Sequence, residues 1–283
     1  MILQKKIQLF VLVILTISSF ILFSCEDSGT DPKNQSEGTL VVNITDAPFP
    51  IDQVAEANVT INKIEVREEN EDADFPFITL STDTQTVNLI DLRNGITEKL
   101  VETNIPEGKY DLVRLYVTEA VIILTDGQEF DLTIPSGAQT GIKMFIDPSV
   151  LVEESMTAEL LLDFDLSKSF VVQGNPNTPA GINGFIFKPV IRAVNNTLAG
   201  SIYGEVKDTT DAALVNAQVW VEQDSVITTS FTGENGLYEM IGINTGLYDV
   251  LATKEGYDTV RVDGIEIEAG DLLEQNFILT PEN

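Results

Sequence analysis

Leu40, Val42 and Ile44 fall on alternate positions ahead of Thr45-Asp46-Ala47-Pro48, the period of two expected of a strand with one buried face. The alternation returns along the whole chain. Ala57, Val59 and Ile61 fall on odd positions and Ile64 and Val66 on even ones, so one face stays buried only if Asn62-Lys63 adds an extra residue, a β-bulge. Phe75 to Leu80, Thr86 to Leu92 and Lys109 to Val117 are further strand segments. Val121 and Ile123 are expected to pair with Phe130, Leu132 and Ile134 across Asp126-Gly127, the signal of a two-residue type I′ turn. Met156, Ala158, Leu160, Leu162 and Phe164 set one apolar face on a single strand. Phe185, Phe187, Val190 and Ala193 follow, with Pro189 marking an edge or a bulge. No stretch carries a convincing helical period.

The pattern pauses at the polar run around Asn195-Asn196-Thr197 and restarts with Ile202, Gly204 and Val206. Ala217, Val219 and Val221 alternate, then Tyr238 and Met240, then Tyr248, Val250 and Ala252. Asn235-Gly236 and Asp263-Gly264 supply turns. Many short strands with Gly and Pro between them predict an all-β protein of two tandem β-sandwiches, residues 38–194 and 200–283, with a linker at 195–199.

The amino-terminal end breaks this pattern. Lys5 and Lys6 precede apolar runs from Ile7 to Leu15 and from Ile17 to Phe23, which end at Leu22-Phe23-Ser24-Cys25. Charge, apolar run and small residue are the layout of a secretory signal, here residues 1–24, and an uncleaved membrane anchor is the other reading. Leu22-Phe23-Ser24-Cys25 resembles the lipobox of type II signal peptides, with Phe23 bulkier than the usual residue. The resemblance implies cleavage before Cys25 and a diacylglycerol on its thiol, which would tie the protein to a membrane. Residues 25–37 then read as a polar tether.

Composition narrows the chemistry. The formal charge is −29, and loss of Lys5 and Lys6 with the leader makes it more negative, so nucleic acid and anionic head groups are repelled. Cys25 is the only cysteine, which removes disulfides, thiolate metal sites and cysteine nucleophiles from the body. There is no histidine, hence no Ser–His–Asp arrangement, no HExxH zinc site and no ordinary general base near neutral pH. No glycine-rich phosphate loop joins a strand to a helix. The expectation is a protein without catalysis.

Two places remain as candidate sites. Asp163 and Asp165 are two apart and share one face of a strand. With Asp46 they would offer Ca²⁺ the oxygens it wants, although no EF-hand spacing is present; otherwise they sit on a solvated face opposite Leu160, Leu162 and Phe164, or pair with Lys168. Trp220 stands between the inward Val219 and Val221, so it points outward with Gln218 and Glu222. There it would serve as a platform for a sugar ring or a protein partner, or be buried against the first domain or under a loop.

Two family resemblances become specific on particular residues. Gly204-Glu205-Val206, Leu214-Val215-Asn216-Ala217-Gln218-Val219, Thr232-Gly233-Glu234-Asn235-Gly236-Leu237-Tyr238, Gly246-Leu247-Tyr248-Asp249-Val250 and Glu255-Gly256-Tyr257 resemble, in order, the carboxypeptidase regulatory-like domain. That resemblance implies a transthyretin-like sandwich, grouped with carbohydrate-binding-like folds, over 198–281. Gly38-Thr39-Leu40, Thr45-Asp46-Ala47-Pro48, Ile105-Pro106-Glu107-Gly108-Lys109-Tyr110, Leu132-Thr133-Ile134-Pro135-Ser136-Gly137, Leu162-Asp163-Phe164-Asp165 and Phe187-Lys188-Pro189-Val190-Ile191 resemble a domain family of Gram-negative lipoproteins of unassigned function. It implies an immunoglobulin- or transthyretin-like sandwich over 38–194. Together these give the expectation of a lipid-anchored envelope protein, at the periplasmic face of the outer membrane or the cell surface, that binds carbohydrate or an envelope protein; the alternative is a structural accessory in a larger complex.

Overall fold

In a computed structural model the described residues are 36–47, 53–69, 76–134, 140–175 and 181–282. Cys25 with its leader, most of the tether, Pro48, Phe75 and Pro135-Ser136-Gly137 lie outside them. Ser36–Asn283 forms one compact unit, and it holds two β-sandwiches.

The first contains β1 (Glu37–Ala47), β2 (Val54–Glu68), β3 (Ile78–Ser81), β4 (Gln85–Asn88), β5 (Glu98–Pro106) and β6 (Gly108–Leu124). It continues with β7 (Glu129–Asp131), β8 (Ile142–Val152), β9 (Thr157–Asp165), β10 (Phe170–Asn175), β11 (Gly181–Phe187) and β12 (Ile191–Asn195). The hydrogen-bonded path runs β3-β2-β6-β8-β12-β9-β1-β5, and β10 pairs with β11 apart from it. β8 and β12 meet through the single pair Ile146 and Ala193. The path folds over there, and its two halves close on a shared core of Leu40, Val42, Ile44, Val59, Leu115 and Phe164.

The bulge expected in β2 is present. Its pairing with β6 slips between Ile61 and Lys63, so Val59, Ile61, Ile64 and Val66 all point inward despite the change of parity. Three expectations need correction. Residues 109–124 belong to one long strand, β6, and its buried positions after Thr118 are Ala120, Ile122 and Leu124 rather than Val121 and Ile123. Thr60 pairs with Glu119 while Ile61 pairs with Val117; the residue skipped, Thr118, is a second bulge that reverses the parity. The turn at Asp126-Gly127 is a three-residue loop, because only Gly127 has positive φ (88°) and Leu124 N–H donates to the Gln128 carbonyl. Met156 is 59% exposed and precedes β9 rather than joining its apolar face.

The second sandwich contains β13 (Ala199–Asp208), β14 (Gln218–Glu222), β15 (Val226–Phe231) and β16 (Leu237–Asn244), then β17 (Gly246–Thr253), β18 (Val260–Ile267), β19 (Leu272–Glu274) and β20 (Phe277–Leu279). One sheet runs β16-β13-β19, with β20 also on β13, and the other β15-β14-β17-β18. Ile202, Val206, Val219, Val221, Tyr238 and Phe277 build a separate core. Every alternating set expected here faces inward.

Only residues 196–198, a 3-10 turn, separate β12 from β13. A small third cluster bridges the sandwiches, with Leu161 and Val194 from the first and Ala199 and Ile241 from the second.

Candidate functional site

The end of β1 carries Thr45 and Asp46 side by side, and each holds a different piece of chain. Thr45 Oγ1 lies within hydrogen-bonding distance of the Leu92 carbonyl (3.1 Å) and the Ile96 carbonyl (2.9 Å). It thereby clamps the loop after the 3-10 turn Leu89–Leu92. Asn94 and Gly95 in that loop take the left-handed conformation, with φ of 56° and 75°. The loop reaches the second sandwich, where Ser230 Oγ donates to Asn94 Oδ1 at 2.6 Å.

Asp46 is 6% exposed. Its Oδ1 accepts from Leu166 N–H at 3.2 Å and its Oδ2 has no partner among the described residues. Burial holds this carboxyl well above the usual carboxylate range; the Leu166 N–H opposes the shift, and the charges of Asp163 and Asp165 add to it.

Asp165 caps the four-residue helix α1 (Leu166–Ser169), accepting from Lys168 N–H at 3.0 Å and Ser167 Oγ at 2.6 Å, and pairs with the Lys168 ammonium at 2.7 Å. Asp163 pairs with Arg192 at 2.7 Å, the two side chains being 8% and 29% exposed. Arg192 Nη1 also donates to the Gly242 carbonyl at 2.7 Å, across the junction. Gly242 has φ of 66°, and a Cβ there would come within 2.6 Å of Leu161 Cδ2.

Asp163 and Asp165 share a face as expected, but at Asp163 that face is covered: Asp163 is 6% exposed and Leu161, two residues before it on the same face, is fully buried against Gly242. Asp46 is on the opposite face. In the parallel pairing of β1 with β9 it stands beside Phe164, at the end of the inward row of Leu40, Val42 and Ile44. The three carboxylates therefore do not converge. Among the described residues no group of three acidic, cysteine or histidine side chains is placed to hold a metal, and the Ca²⁺ arrangement of Asp46, Asp163 and Asp165 loses its geometric basis. Asp163 is paired with Arg192 and Asp165 with Lys168.

Asp46 makes a pH-dependent contribution of definite sign. Its folded pKa lies above the value in the unfolded chain, so the native state keeps the proton longer, and the stability it supplies falls as pH rises from the unfolded value through the folded one. Asp46→Asn keeps an acceptor for Leu166 and removes the ionisation. Urea midpoints should show the variant gaining on the parent as the pH rises above the ordinary carboxylate range; a difference that stays constant as the pH rises would show that Asp46 does not titrate with a raised pKa.

Trp220 lies where its register places it, on the outer face of the second sandwich and half-buried. It occupies a row across four strands, paired with Thr229 on β15 and Leu251 on β17, which in turn pairs with Arg261 on β18. Leu251 is only 7% exposed, flanked by the indole and the guanidinium. Trp220 Nε1 donates to Glu222 Oε2 at 2.8 Å, and Arg261 pairs with Glu222, Asp249 and Asp263. The result is an aromatic ring beside a fan of charged hydrogen-bonding groups.

Arg192, Asn94 and Gly242 were not singled out by sequence reasoning. Two of them left a signal there: Asn94-Gly95 is a turn dipeptide, and Gly242 interrupts a strand pattern, which marks a close backbone approach.

The family described as Domain of unknown function (DUF4382) matches residues 37–189, and the Carboxypeptidase regulatory-like domain matches residues 201–280. Both agree with the segments that the sequence motifs resemble. No curated protein matches the chain. Among solved structures, the shaft pilin SpaA of Lactobacillus rhamnosus GG is 12% identical over 88% of this chain and 99% of its own, with a TM-score of 0.25. The major pilin subunit BcpA of Bacillus cereus is 11% identical over 87% of this chain and 71% of its own, also with a TM-score of 0.25. The Bacillus anthracis TIE protein is 15% identical over 87% of this chain, which spans about a third (34%) of that protein, with a TM-score of 0.25. At these scores nothing about function follows from the likeness. Among the described residues no helix is long and apolar enough to cross a membrane.

Proposed function

We infer a function from one premise: the chain belongs to the family described as Domain of unknown function (DUF4382), with a carboxypeptidase regulatory-like domain behind it. It is a non-catalytic module of the cell envelope, held to the membrane by lipid on Cys25, that presents the outer face of its second sandwich to carbohydrate. The observation that carries this reading is the Trp220 row. An indole face takes the C–H side of a sugar ring, while Glu222, Asp249 and Arg261 offer planar hydrogen-bonding groups beside it.

Trp220 is the chain's only tryptophan, so its fluorescence reports this face alone. Acrylamide should quench it readily, and a bound glycan should shift its emission. Trp220→Ala should weaken glycan binding by about 1–3 kcal/mol, as loss of an aromatic anchor does, and leave the melting temperature almost unchanged. Emission that acrylamide cannot reach would rule the platform out.

The junction favours a second reading, that of a scaffold. Motif residues Thr45, Asp46, Asp163 and Asp165 all brace it or the elements leading to it, which suits a rigid spacer in an envelope complex. On that reading Trp220→Ala leaves partner capture intact while junction variants abolish it.

The anchor has its own test. Cys25→Ala should block lipidation, leaving a precursor or a protein released from the membrane fraction. Persistence of a fatty-acid label on the variant would end the lipoprotein reading.

A further inference from the structure

The junction carries an open recess of about 520 Å³, inside the range of roughly 300–1,000 Å³ for small-molecule sites, which favour domain boundaries. Asp91, Arg93 and Asn94 from the first sandwich line one side, and Asn216, Phe231 and Glu234 from the second line the other. Ile96 and Val215, both unusually exposed for their type, extend its apolar surface.

Arg93 is the telling member. Arg67, Arg114, Arg192 and Arg261 each form an ion pair. Arg93 forms none among the described residues, although the chain carries a net charge of −29; its charge is felt only at longer range, by the buried Asp46 carboxyl. Asn94 spends its Oδ1 on Ser230 and keeps its amide hydrogens as donors. Asp91 and Glu234 supply acceptors on the same rim.

We propose that this recess binds a short neutral saccharide. Such a ligand has C–H faces for Phe231, Ile96 and Val215, hydroxyl protons for Asp91 and Glu234, and ring and hydroxyl oxygens for Arg93 and the Asn94 amide. An acidic ligand would face two carboxylates against one guanidinium, and a cationic one would meet Arg93. A neutral polyol uses both signs of the rim and the apolar wall together. The site is distinct from the Trp220 face and shares with the preceding reading only the class of ligand.

Full-length protein in a detergent without a sugar headgroup is titrated calorimetrically with maltotriose, cellotriose, chitotriose and trigalacturonate. At least one neutral trisaccharide should bind, and more tightly than the acidic one. Arg93→Ala should weaken that binding about ten-fold or more, the loss of one charge-assisted hydrogen bond. Val215→Arg, which puts a longer side chain into the recess from a partly exposed position, should abolish it. Trp220→Ala should leave it unchanged. Binding that survives both recess variants and falls with Trp220→Ala would overturn this site while supporting the other face. Binding lost with all three variants would overturn a separate site, and no binding, or preference for trigalacturonate, would overturn the ligand class.

Discussion

Gly242→Val is expected to separate the two sandwiches without unfolding either, lowering the stability of the intact arrangement by about 3 kcal/mol. Two effects add. A β-branched residue at φ of 66° is strained by roughly 1–2 kcal/mol, and its Cβ must displace Leu161 Cδ2, which lies 2.6 Å away, an overpacking of about 1–3 kcal/mol. Leu161 is fully buried in the cluster that bridges the sandwiches, so it has little room to yield. The cores on either side are separate, and they should survive. Differential scanning calorimetry should show one transition in the parent chain splitting into two in the variant. A single transition at the parent's temperature would mean that the junction adds nothing to stability.

Arg192→Ala should cost about 2–3 kcal/mol, less than the roughly 3–5 kcal/mol for breaking a fully buried pair, because Arg192 is 29% exposed. The larger part comes from what is left behind. Asp163 stays buried without its counter-ion, and the Gly242 carbonyl loses a donor at the junction. Arg192→Lys should recover less than half of the loss, since an ammonium cannot reach both acceptors with a planar fork. A double-mutant cycle with Asp163→Asn gives the pair's own share. Additive effects of the two substitutions would remove the pair from the account of the junction.

Alternation made the two sandwiches legible in the sequence, along with the β2 bulge, whose parity change is written in Ile61 and Ile64. The β6 bulge escaped because Val117, Val121 and Ile123 keep an odd-numbered apolar series running while the chain buries Ala120 and Ile122 instead. Asp163 and Asp165 were rightly set on one face, but sequence alternation marks only which residues share a face, not what covers it. The covering partner is the second sandwich, far along the chain at Gly242. Asp46 misled for the opposite reason. A carboxylate at the end of an inward apolar row offers oxygens for Ca²⁺ when read from sequence, yet it is buried away from Asp163 and Asp165 and accepts from the Leu166 N–H. Trp220 was legible because its neighbours on both sides are aliphatic and its strand has no bulge before Val221.

The position of β1 bears on how the protein would carry mechanical load. On the lipid-anchor reading, tension from the membrane enters the body at Glu37. β1 lies between β9 and β5, with residues 39–47 matched to 157–165 on one side and the β5 ladder on the other. A pull along the strand shears both ladders at once instead of peeling pairs off one at a time, so many hydrogen bonds resist together. The last residues of β1, Thr45 and Asp46, are also fastened to the loop at Leu92–Ile96 and to the start of α1. Force that travels the length of the strand is thus passed into the same elements that grip the second sandwich, and a tug at the anchor would be felt at the junction before the core of the first sandwich gave way.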